Sequence, residues 1–290
     1  MKYSVIIPTY NRSRFLLNCL SGIGRQSVAR DLYEVIVVDD GSEFSHSENI
    51  EKEIPSYNVD IKYFRQENSG PASARNLGWK AASGDYIIFI DDDCVPSENW
   101  LSDYIDAVQT HPSGYAYGGD IIGTGEDYIP LYIEHKNFLK HKDTPSFSNL
   151  VTANCMYAKK DLIKNGGFDE RITWPGGEDP ELTIRMKAAG VDLLIIDGAA
   201  VIHNHKDNLC DFWKTLINYG RGIGYLEKIN NNQSGNFLRE LVYLLYIKRL
   251  IMNNFMKREY SLRIRICFMA LDFIRRIAFF IGKWKVVYKM

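Results

Sequence analysis

Short apolar runs alternate with amphipathic segments over the first 110 residues. Four of these runs are rich in strand-forming residues and too apolar to face water, as in parallel sheets: 3–7, 33–38, 59–64 and 85–90. Apolar positions at helical spacing predict a helix over 12–26, and Pro71 suits the first turn of a second predicted helix over 71–82. This alternation predicts an α/β fold with a single Rossmann-like, mostly parallel sheet flanked by helices.

After about residue 110 the alternation becomes less regular. The segments "SGYAYGGDIIG", "LVTANCMYA", "DLLIID" and "AAVIH" are typical of short strands. Helical spacing predicts a short helix near 130–140 and longer helices over 178–190 and 207–230. We therefore predict one domain over residues 1–232 and a separate C-terminal helical extension over residues 233–290.

Composition and charge narrow the class of protein. The 290 residues are 46% hydrophobic with a net charge of −1, which argues against nucleic acid as a main partner. Five scattered cysteines without metal-ligand spacing fit a reduced, cytoplasmic protein. The N-terminus lacks the pattern of a signal peptide, and no uncharged apolar run approaches the ~20 residues of a membrane-spanning helix.

Acidic residues follow two of the predicted strands. Asp91, Asp92 and Asp93 come directly after the strand at 85–90, and Asp39 and Asp40 end the strand at 33–38. Acidic runs are usually solvated loops, and an aspartate before a glycine often forms a turn. At the carboxyl edge of a parallel sheet, however, such residues line the ligand crevice, and neighbouring carboxylates attract a divalent cation.

Other residues near this edge suggest a nucleotide and a base. Tyr10 offers a flat ring for stacking on a nucleobase, although a packed loop aromatic is equally consistent with its position. Arg75 lies one turn into a helix whose N-terminus attracts phosphate. Asp179 opens a predicted helix, a position that favours an ionised carboxylate, as a general base requires. The alternative is that Asp179 only caps its helix.

Six motifs in order resemble family 2 glycosyltransferases of the GT-A fold: "SVIIPTYNR", "VIVVDDGS", "NSGPASARNLG", "FIDDDC", "GGFDE" and "GGEDPELTIR". The resemblance covers roughly residues 3–225 and implies an inverting, metal-dependent transferase that uses a nucleotide-diphosphate sugar. UDP is the default nucleotide, the cation is Mn²⁺ or Mg²⁺, and the acceptor is a glycan or lipid-linked sugar in cell-surface polysaccharide synthesis.

The resemblance also implies roles for individual residues. On the donor side these are Pro8, Tyr10 and Asp40 at the base, Asp91 at the ribose, Arg75 near the donor, and Asp92 with less weight. Asp93 and His203 are the expected metal ligands, with His205 as the alternative to His203. Asp179 is the expected catalytic base with Glu178 beside it, while Trp174 and Asn154 are assigned to the acceptor side. For His203 a strand-end histidine without a metal role, and for Trp174 a packed loop aromatic, are the alternatives.

The C-terminal segment has its own pattern. Residues 239–290 hold twelve Lys or Arg and three Asp or Glu, a net charge of +9, interleaved with apolar residues. This pattern is typical of amphipathic helices on an anionic membrane surface, and it predicts a peripheral enzyme on the inner face of the plasma membrane. Helices packed on the protein itself or on a second copy in a homodimer are the alternative.

Three other functions are consistent with parts of the sequence. A sugar-nucleotide-binding module without catalysis would keep the same motifs. A nucleotidyltransferase shares the fold, but it usually has a Gly-rich basic loop where this chain has "PTYNRSR". A phospho-accepting receiver domain also clusters acids at strand ends.

Overall fold

The computed structural model describes residues 2–54, 57, 59–144, 147–204, 208–229 and 260–287. Its strands are Tyr3–Thr9 (β1), Tyr33–Asp39 (β2), Ile61–Arg65 (β3), Tyr86–Ile90 (β4), Cys94–Pro96 (β5), Tyr115–Gly118 (β6), Ile121–Thr124 (β7), Lys142–Thr144 (β8), Phe147–Asn149 (β9), Asn154–Ala158 (β10), Asp192–Ile195 (β11) and Val201–Asn204 (β12). Its helices are Ser13–Gly24 (α1), Phe44–Glu53 (α2), Pro71–Ala81 (α3), Trp100–Thr110 (α4), Tyr128–His135 (α5), Lys159–Asn165 (α6), Glu178–Ala188 (α7), Leu209–Ile229 (α8) and Leu262–Val287 (α9).

These elements form two compact units. Unit 1 comprises residues 1–124, 139–173 and 178–204, and unit 2 comprises residues 125–138, 174–177 and 205–290. The predicted boundary at residues 232 and 233 differs from this division. The helices on either side of it, α8 and α9, belong to the same unit.

Unit 1 is built on a seven-stranded sheet, counted over the described residues, in the order β11-β6-β10-β4-β1-β2-β3. Neighbours pair in parallel except at β10, which is antiparallel to both β4 and β6. The predicted mostly parallel α/β sheet is therefore confirmed. Because β1, β2 and β4 are parallel neighbours, their carboxyl ends meet at one edge of the sheet.

Helices cover both faces of this sheet, which explains why β1, β2 and β4 are mostly apolar and are buried at all positions except the half-buried Pro8. Buried side chains of α1 and α4 pack on one face, and those of α3, α6 and α7 pack on the other. Helix α3 approaches β1 closely at Gly78, where a Cβ would lie 2.4 Å from the Ile6 side chain. A larger residue at position 78 would push α3 away from the sheet.

A smaller sheet in unit 1 has the order β5-β12-β7. Strand β5 follows the acidic run directly, and it pairs antiparallel with β12 so that His203 lies opposite Cys94. The short strand β5 was not predicted from the sequence. It brings the segment "VIHNH" beside the acids, although His205 lies outside the described residues.

Unit 2 has a core of aromatic and aliphatic side chains from α5, α8 and α9. Tyr132 of α5 and Lys136, directly after α5, donate hydrogen bonds of 2.6 and 2.8 Å to the buried Asp272 of α9. Lys283 of α9 is also buried and pairs with Glu227 of α8. Part of the basic tail therefore packs within the protein, as the alternative interpretation predicted. Within the described residues, no helix combines the length and apolarity needed to cross a bilayer.

Candidate active site

The loops after β1 and β2 are joined at the edge of the sheet by Asn11. Its backbone has φ +54°, a left-handed conformation that Asn tolerates better than most residues. Its backbone N–H donates to Ser42 Oγ over 2.8 Å, and its side-chain oxygen accepts from the Glu43 N–H over 2.7 Å. The adjacent Tyr10 is 48% exposed and Pro8 is half-buried, so both are accessible at the predicted base site.

Asp39 and Asp40 have structural partners. Asp39 is buried and accepts hydrogen bonds from Ser42, Ser47 and Tyr63; although burial opposes ionisation, these bonds hold the pKa of Asp39 below its usual value. Asp40 accepts from the Gln66 amide and from two backbone N–H groups in the turn before α3, at 2.7 to 2.9 Å. The turn interpretation therefore fits Asp39, and contact of Asp40 with the base stays a prediction.

Each acid of the 91–93 run has a different environment. Asp92 accepts from Thr9 Oγ1 and from Arg12, both at 2.8 Å, and Arg12 also reaches Asp93 Oδ2 at 2.8 Å. Burial, together with the neighbouring Asp93, raises the pKa of Asp92 to about 7 although Arg12 opposes the shift. Asp92 thus packs inward against the end of β1. Asp91 pairs with Arg75, and Asp93 shares Arg12 with Asp92 and also lies beside His203.

Asp93 and His203 form the best candidate metal site. The distance between Asp93 Oδ1 and His203 Nε2 is 3.4 Å. Adjacent ligands of an octahedral cation with bonds near 2.1 Å lie about 3 Å apart, so a small side-chain movement brings both onto one ion. Carboxylate oxygens suit Mn²⁺ and Mg²⁺, and an imidazole nitrogen suits transition metals. These two residues therefore fit the cation that the sequence predicts.

Cys94 also has a ligand atom within 4.8 Å of those of Asp93 and His203. It is fully buried, and burial raises the pKa of its thiol well above the usual value. A protonated thiol is a poor ligand for a hard cation, since thiolates bind softer metals. Cys94 is better explained by packing behind the site.

Arg75 connects the acidic run to the start of α7. Its guanidinium donates to Asp91 at 2.8 Å and to Glu178 at 3.0 Å, and the side chain is almost fully buried. The guanidinium of Arg75 lies between two carboxylates and positions Asp91 and Glu178. Through these contacts, the Arg75 side chain links Glu178, the first residue of α7, to Asp91, which directly follows β4. The expected place of Arg75 near the donor stays a prediction.

Asp179 accepts hydrogen bonds from the Thr152 hydroxyl at 3.0 Å and from the Thr152 N–H at 3.3 Å. Burial, followed by the neighbouring Glu178 carboxylate, raises the pKa of Asp179 to about 7, and Arg75 only partly offsets the rise. The sequence argument from the helix N-terminus favoured the opposite direction. It was wrong because burial and a like charge outweigh the helix dipole, whose effect is modest. A carboxylate with a pKa near neutrality suits a general base.

The two acceptor-side candidates lie in different environments. Asn154 is completely buried in unit 1: its amide donates to the carbonyls of Asp120 and Ala199, and its oxygen accepts from Trp100 and Tyr104. The prediction that Asn154 contacts the acceptor is therefore not supported, because all of its hydrogen-bonding capacity serves the core. Trp174 belongs to unit 2, and its role at the acceptor stays a prediction.

Known proteins share this sequence pattern. The profile described as "Glycosyl transferase family 2" matches residues 4–166, which is more than half of the chain. This chain belongs to glycosyl transferase family 2. Similar curated proteins include a chondroitin synthase of Escherichia coli, 31% identical over 72% of this chain and 36% of that protein, and the glycosyltransferase AglE of Haloferax volcanii, 28% identical over 66% and 62%. The family 2 chain thus spans less than two thirds of the length of these relatives.

Solved structures share the GT-A fold of this family 2 transferase. A mannosyltransferase from Pyrobaculum calidifontis, solved with GDP-Man and Mn²⁺, has a TM-score of 0.70 and 14% identity, with 99% of this chain and 87% of that chain covered. Residues 1–349 of Staphylococcus aureus TarS, solved with UDP-GlcNAc, give a TM-score of 0.56 and 20% identity over 96% and 82%. At these identities the likeness concerns the fold.

The structure adds two residues to the candidate site of this transferase. Arg12 holds Asp92 and Asp93, and Thr152 holds Asp179. Arg12 lies in the "PTYNR" segment at the predicted sheet edge, so the sequence could have indicated that it is near the site. Thr152 precedes β10 and had no signal in the sequence, since it reaches Asp179 across 27 residues.

Proposed function

We propose that this family 2 transferase moves a sugar, with inversion, from a nucleotide-diphosphate sugar to a hydroxyl group of a glycan or lipid-linked acceptor. The observation that supports this best is the bridge through Arg75. It joins Asp91, at the end of β4, to Glu178, at the start of α7. The candidate donor residues and the candidate base Asp179 therefore belong to one connected arrangement within unit 1.

On the donor side, Tyr10 stacks on the nucleobase beside Pro8, and Asp40 accepts a hydrogen bond from its edge. Asp91 is half-buried, which leaves carboxylate surface for the ribose. UDP is the first nucleotide to test and GDP the second, because related structures were solved with UDP-GlcNAc and GDP-Man.

Asp93 and His203 hold a divalent cation, Mn²⁺ or Mg²⁺. When bound, that cation neutralises charge on the departing diphosphate. In the transfer step Asp179 accepts the proton of the attacking hydroxyl. The new bond between that oxygen and the anomeric carbon forms as the bond to the diphosphate oxygen breaks on the opposite side. Thr152 orients the Asp179 carboxylate, and Glu178 remains paired with Arg75.

We further propose a role in the synthesis of a cell-surface polymer. Relatives carry names such as chondroitin synthase, hyaluronan synthase and poly(ribitol-phosphate) β-N-acetylglucosaminyltransferase, so polymeric acceptors recur among them. Such polymers are assembled near membranes, and the net charge of +9 over residues 239–290 favours attachment to an anionic surface.

A donor screen tests the proposed activity. UDP- and GDP-sugars are added with Mn²⁺ or Mg²⁺, and binding is followed by thermal shift. Donors that bind are incubated with chondroitin, hyaluronan and ribitol-phosphate oligomers and with lipid-linked sugars, and products are identified by mass spectrometry. Asp93→Asn and Asp179→Asn are expected to lose turnover, and Asp106→Asn, an exposed carboxylate of α4, is the matched control. Full turnover in excess chelator would contradict the role of the cation.

The second candidate is a sugar-nucleotide-binding module without catalysis. It predicts donor binding that depends on Asp93 but no product with any acceptor and no effect of Asp179→Asn. Conversion of the donor by the wild-type protein, lost in Asp179→Asn, excludes this candidate.

A further inference from the structure

Unit 2 holds an arginine stacked on a tryptophan. Arg221 of α8 lies over the indole ring of Trp174, with its guanidinium carbon 4.1 Å from the ring centroid. Tyr225, one turn further along α8, meets the same indole edge-on at 6.3 Å between ring centroids. Both Trp174 and Arg221 are half-buried. A planar cation on a planar ring is thereby held in one orientation.

No acidic side chain among the described residues forms an ion pair with Arg221. Its remaining contact is a long hydrogen bond of 3.5 Å to the Asn218 side chain. Burial lowers the pKa of Arg221. The buried Arg75 and the half-buried Arg275, by contrast, are paired with carboxylates.

Two buried donors at this position also lack an acceptor within the described part of the chain. They are Nε of Arg221 and the indole Nε1 of Trp174. A buried N–H group without a hydrogen bond costs free energy, and such groups are rare in folded proteins. The half-buried, cationic Arg221 thus keeps hydrogen-bonding capacity that the described residues do not use, and such a guanidinium suits an oxygen-rich anionic ligand.

The backbone around the pair is built for close approach. Gly176 and Gly177 have φ +102° and +110°, a region that favours glycine. A Cβ on Gly177 would lie 2.5 Å from the Cα of Gly222, and one on Gly176 would lie 2.7 Å from the Tyr219 ring. The loop that carries Trp174 is thus pressed onto the turn of α8 that carries Arg221. The close approach that allows Arg221 to stack on Trp174 therefore depends on Gly176, Gly177 and Gly222.

We infer that Arg221 and Trp174 bind an oxyanion, a phosphate or a carboxylate, of the acceptor. This inference rests on the proposed function and adds that the acceptor is anionic. The chain passes from Gly177 directly into Glu178 and Asp179, the candidate base that takes the proton of the acceptor. The predicted donor residues follow β1, β2 and β4 in unit 1. The diphosphate of the donor offers the same chemistry, so the experiment must separate these two sources.

The experiment uses the full chain labelled with ¹⁵N at the tryptophan indoles. The protein has five tryptophans, and loss of one peak in Trp174→Phe assigns the signal of Trp174. Inorganic phosphate and glucuronate are titrated as anionic probes, glucose is the neutral probe, and UDP and GDP are titrated separately with Mn²⁺. We expect the Trp174 indole signal to move with phosphate or glucuronate and to stay in place with glucose.

Two variants of α8 determine whether the arginine is responsible. Arg221→Gln is expected to weaken anion binding roughly 10- to 100-fold, the usual loss for a hydrogen bond to a charged group. Lys214→Gln removes an exposed cation from the same helix and is expected to change nothing. If Arg221→Gln fails to fold, the response of the wild-type Trp174 indole to anionic and neutral probes still shows whether the site binds an oxyanion.

The outcomes are distinct. Movement with both simple anions and glucose, or with no probe at all, overturns the oxyanion site. Movement only with nucleoside diphosphate and Mn²⁺ overturns the assignment to the acceptor and gives the site to the donor. If UDP or GDP binds elsewhere in the protein while the Trp174 signal is silent, the inference fails and the proposed function stands. If no nucleotide binds, the proposed donor site itself fails.

Discussion

Replacement of Asp179 by Asn is expected to stabilise the protein while it removes most of the activity. In the folded chain, burial and the neighbouring Glu178 raise the pKa of Asp179 from 3.8 to about 7. At pH 8 the Asp179 carboxylate is therefore ionised in the folded protein, although its surroundings disfavour the charged form compared with water. Asn has nearly the same shape and carries no charge. Its oxygen can keep the hydrogen bond from the Thr152 N–H, and its amide group can donate to the Thr152 hydroxyl in place of the second bond.

The magnitude follows from linkage between ionisation and folding. Each pKa unit corresponds to about 1.4 kcal/mol, so a rise from 3.8 to about 7 sets an upper limit of roughly 4 kcal/mol. Asp179 is only partly buried, and water reduces the effect, so we expect a gain of about 1–3 kcal/mol. The raised pKa makes the folded state bind the proton more tightly. The gain is therefore full above pH 7, declines as the pH falls from 7 to 4, and is absent below about pH 4.

Urea unfolding at pH 8, 6 and 4.5, without nucleotide or cation, measures this gain. Asp192→Asn, at an exposed carboxylate of β11, is the matched control and should change the free energy of unfolding little at any pH. The same raised pKa predicts that wild-type turnover increases with pH and levels off above about pH 7. Turnover of Asp179→Asn should be lower by roughly 10²–10⁴. An Asp179→Asn protein that is less stable than wild type at pH 8, or a gain that grows on acidification, would refute this reasoning.

Three other predictions test separate features. Asp93→Asn should abolish the tightening of nucleotide binding by Mn²⁺ in calorimetry, and undiminished tightening would exclude this ligand. Arg75→Met should lower the free energy of unfolding by roughly 3–5 kcal/mol because Glu178 stays buried, and adding Glu178→Gln should recover part of the loss; losses that simply add would contradict the coupling. The substitutions Phe273→Glu and Trp284→Glu, at two exposed positions of α9, should reduce pelleting with anionic liposomes without changing the melting temperature. Unchanged pelleting would place membrane contact elsewhere.

The edge of the sheet was predictable because its signals are local. Parallel strands need buried, apolar sequences, and the acids that follow them are recognisable because the chain changes abruptly from apolar to acidic residues. The antiparallel insertion of β10 between β4 and β6 was not predictable, because a buried strand has the same pattern in either direction. The same holds for β5, which is three residues long and gains its place only by pairing with β12.

The partners of the candidate site residues were harder to predict than their positions. Arg12 meets Asp92 across 80 residues, and Arg75 meets Glu178 across 103. Such contacts depend on how helices and strands pack, which short motifs do not encode. The direction of the pKa shift at Asp179 also depends on this packing, because burial and a neighbouring carboxylate outweigh the effect of the helix end. The sequence indicated a carboxylate at position 179, and its packing in the fold determines the direction in which its pKa is shifted.

The composition of unit 2 from three separate segments affects how the chain is made. Unit 1 is complete in sequence by residue 204, so a growing chain can fold it as soon as that length has left the ribosome. The core of unit 2 joins Tyr132 to Phe268, across a span of more than 130 residues, and it closes only after α9 has been synthesised. Until then α5 lacks its aromatic partner on α9. A pause in translation before residue 262 would therefore leave unit 1 folded while the core of unit 2 is unfinished, a species for chaperones to recognise.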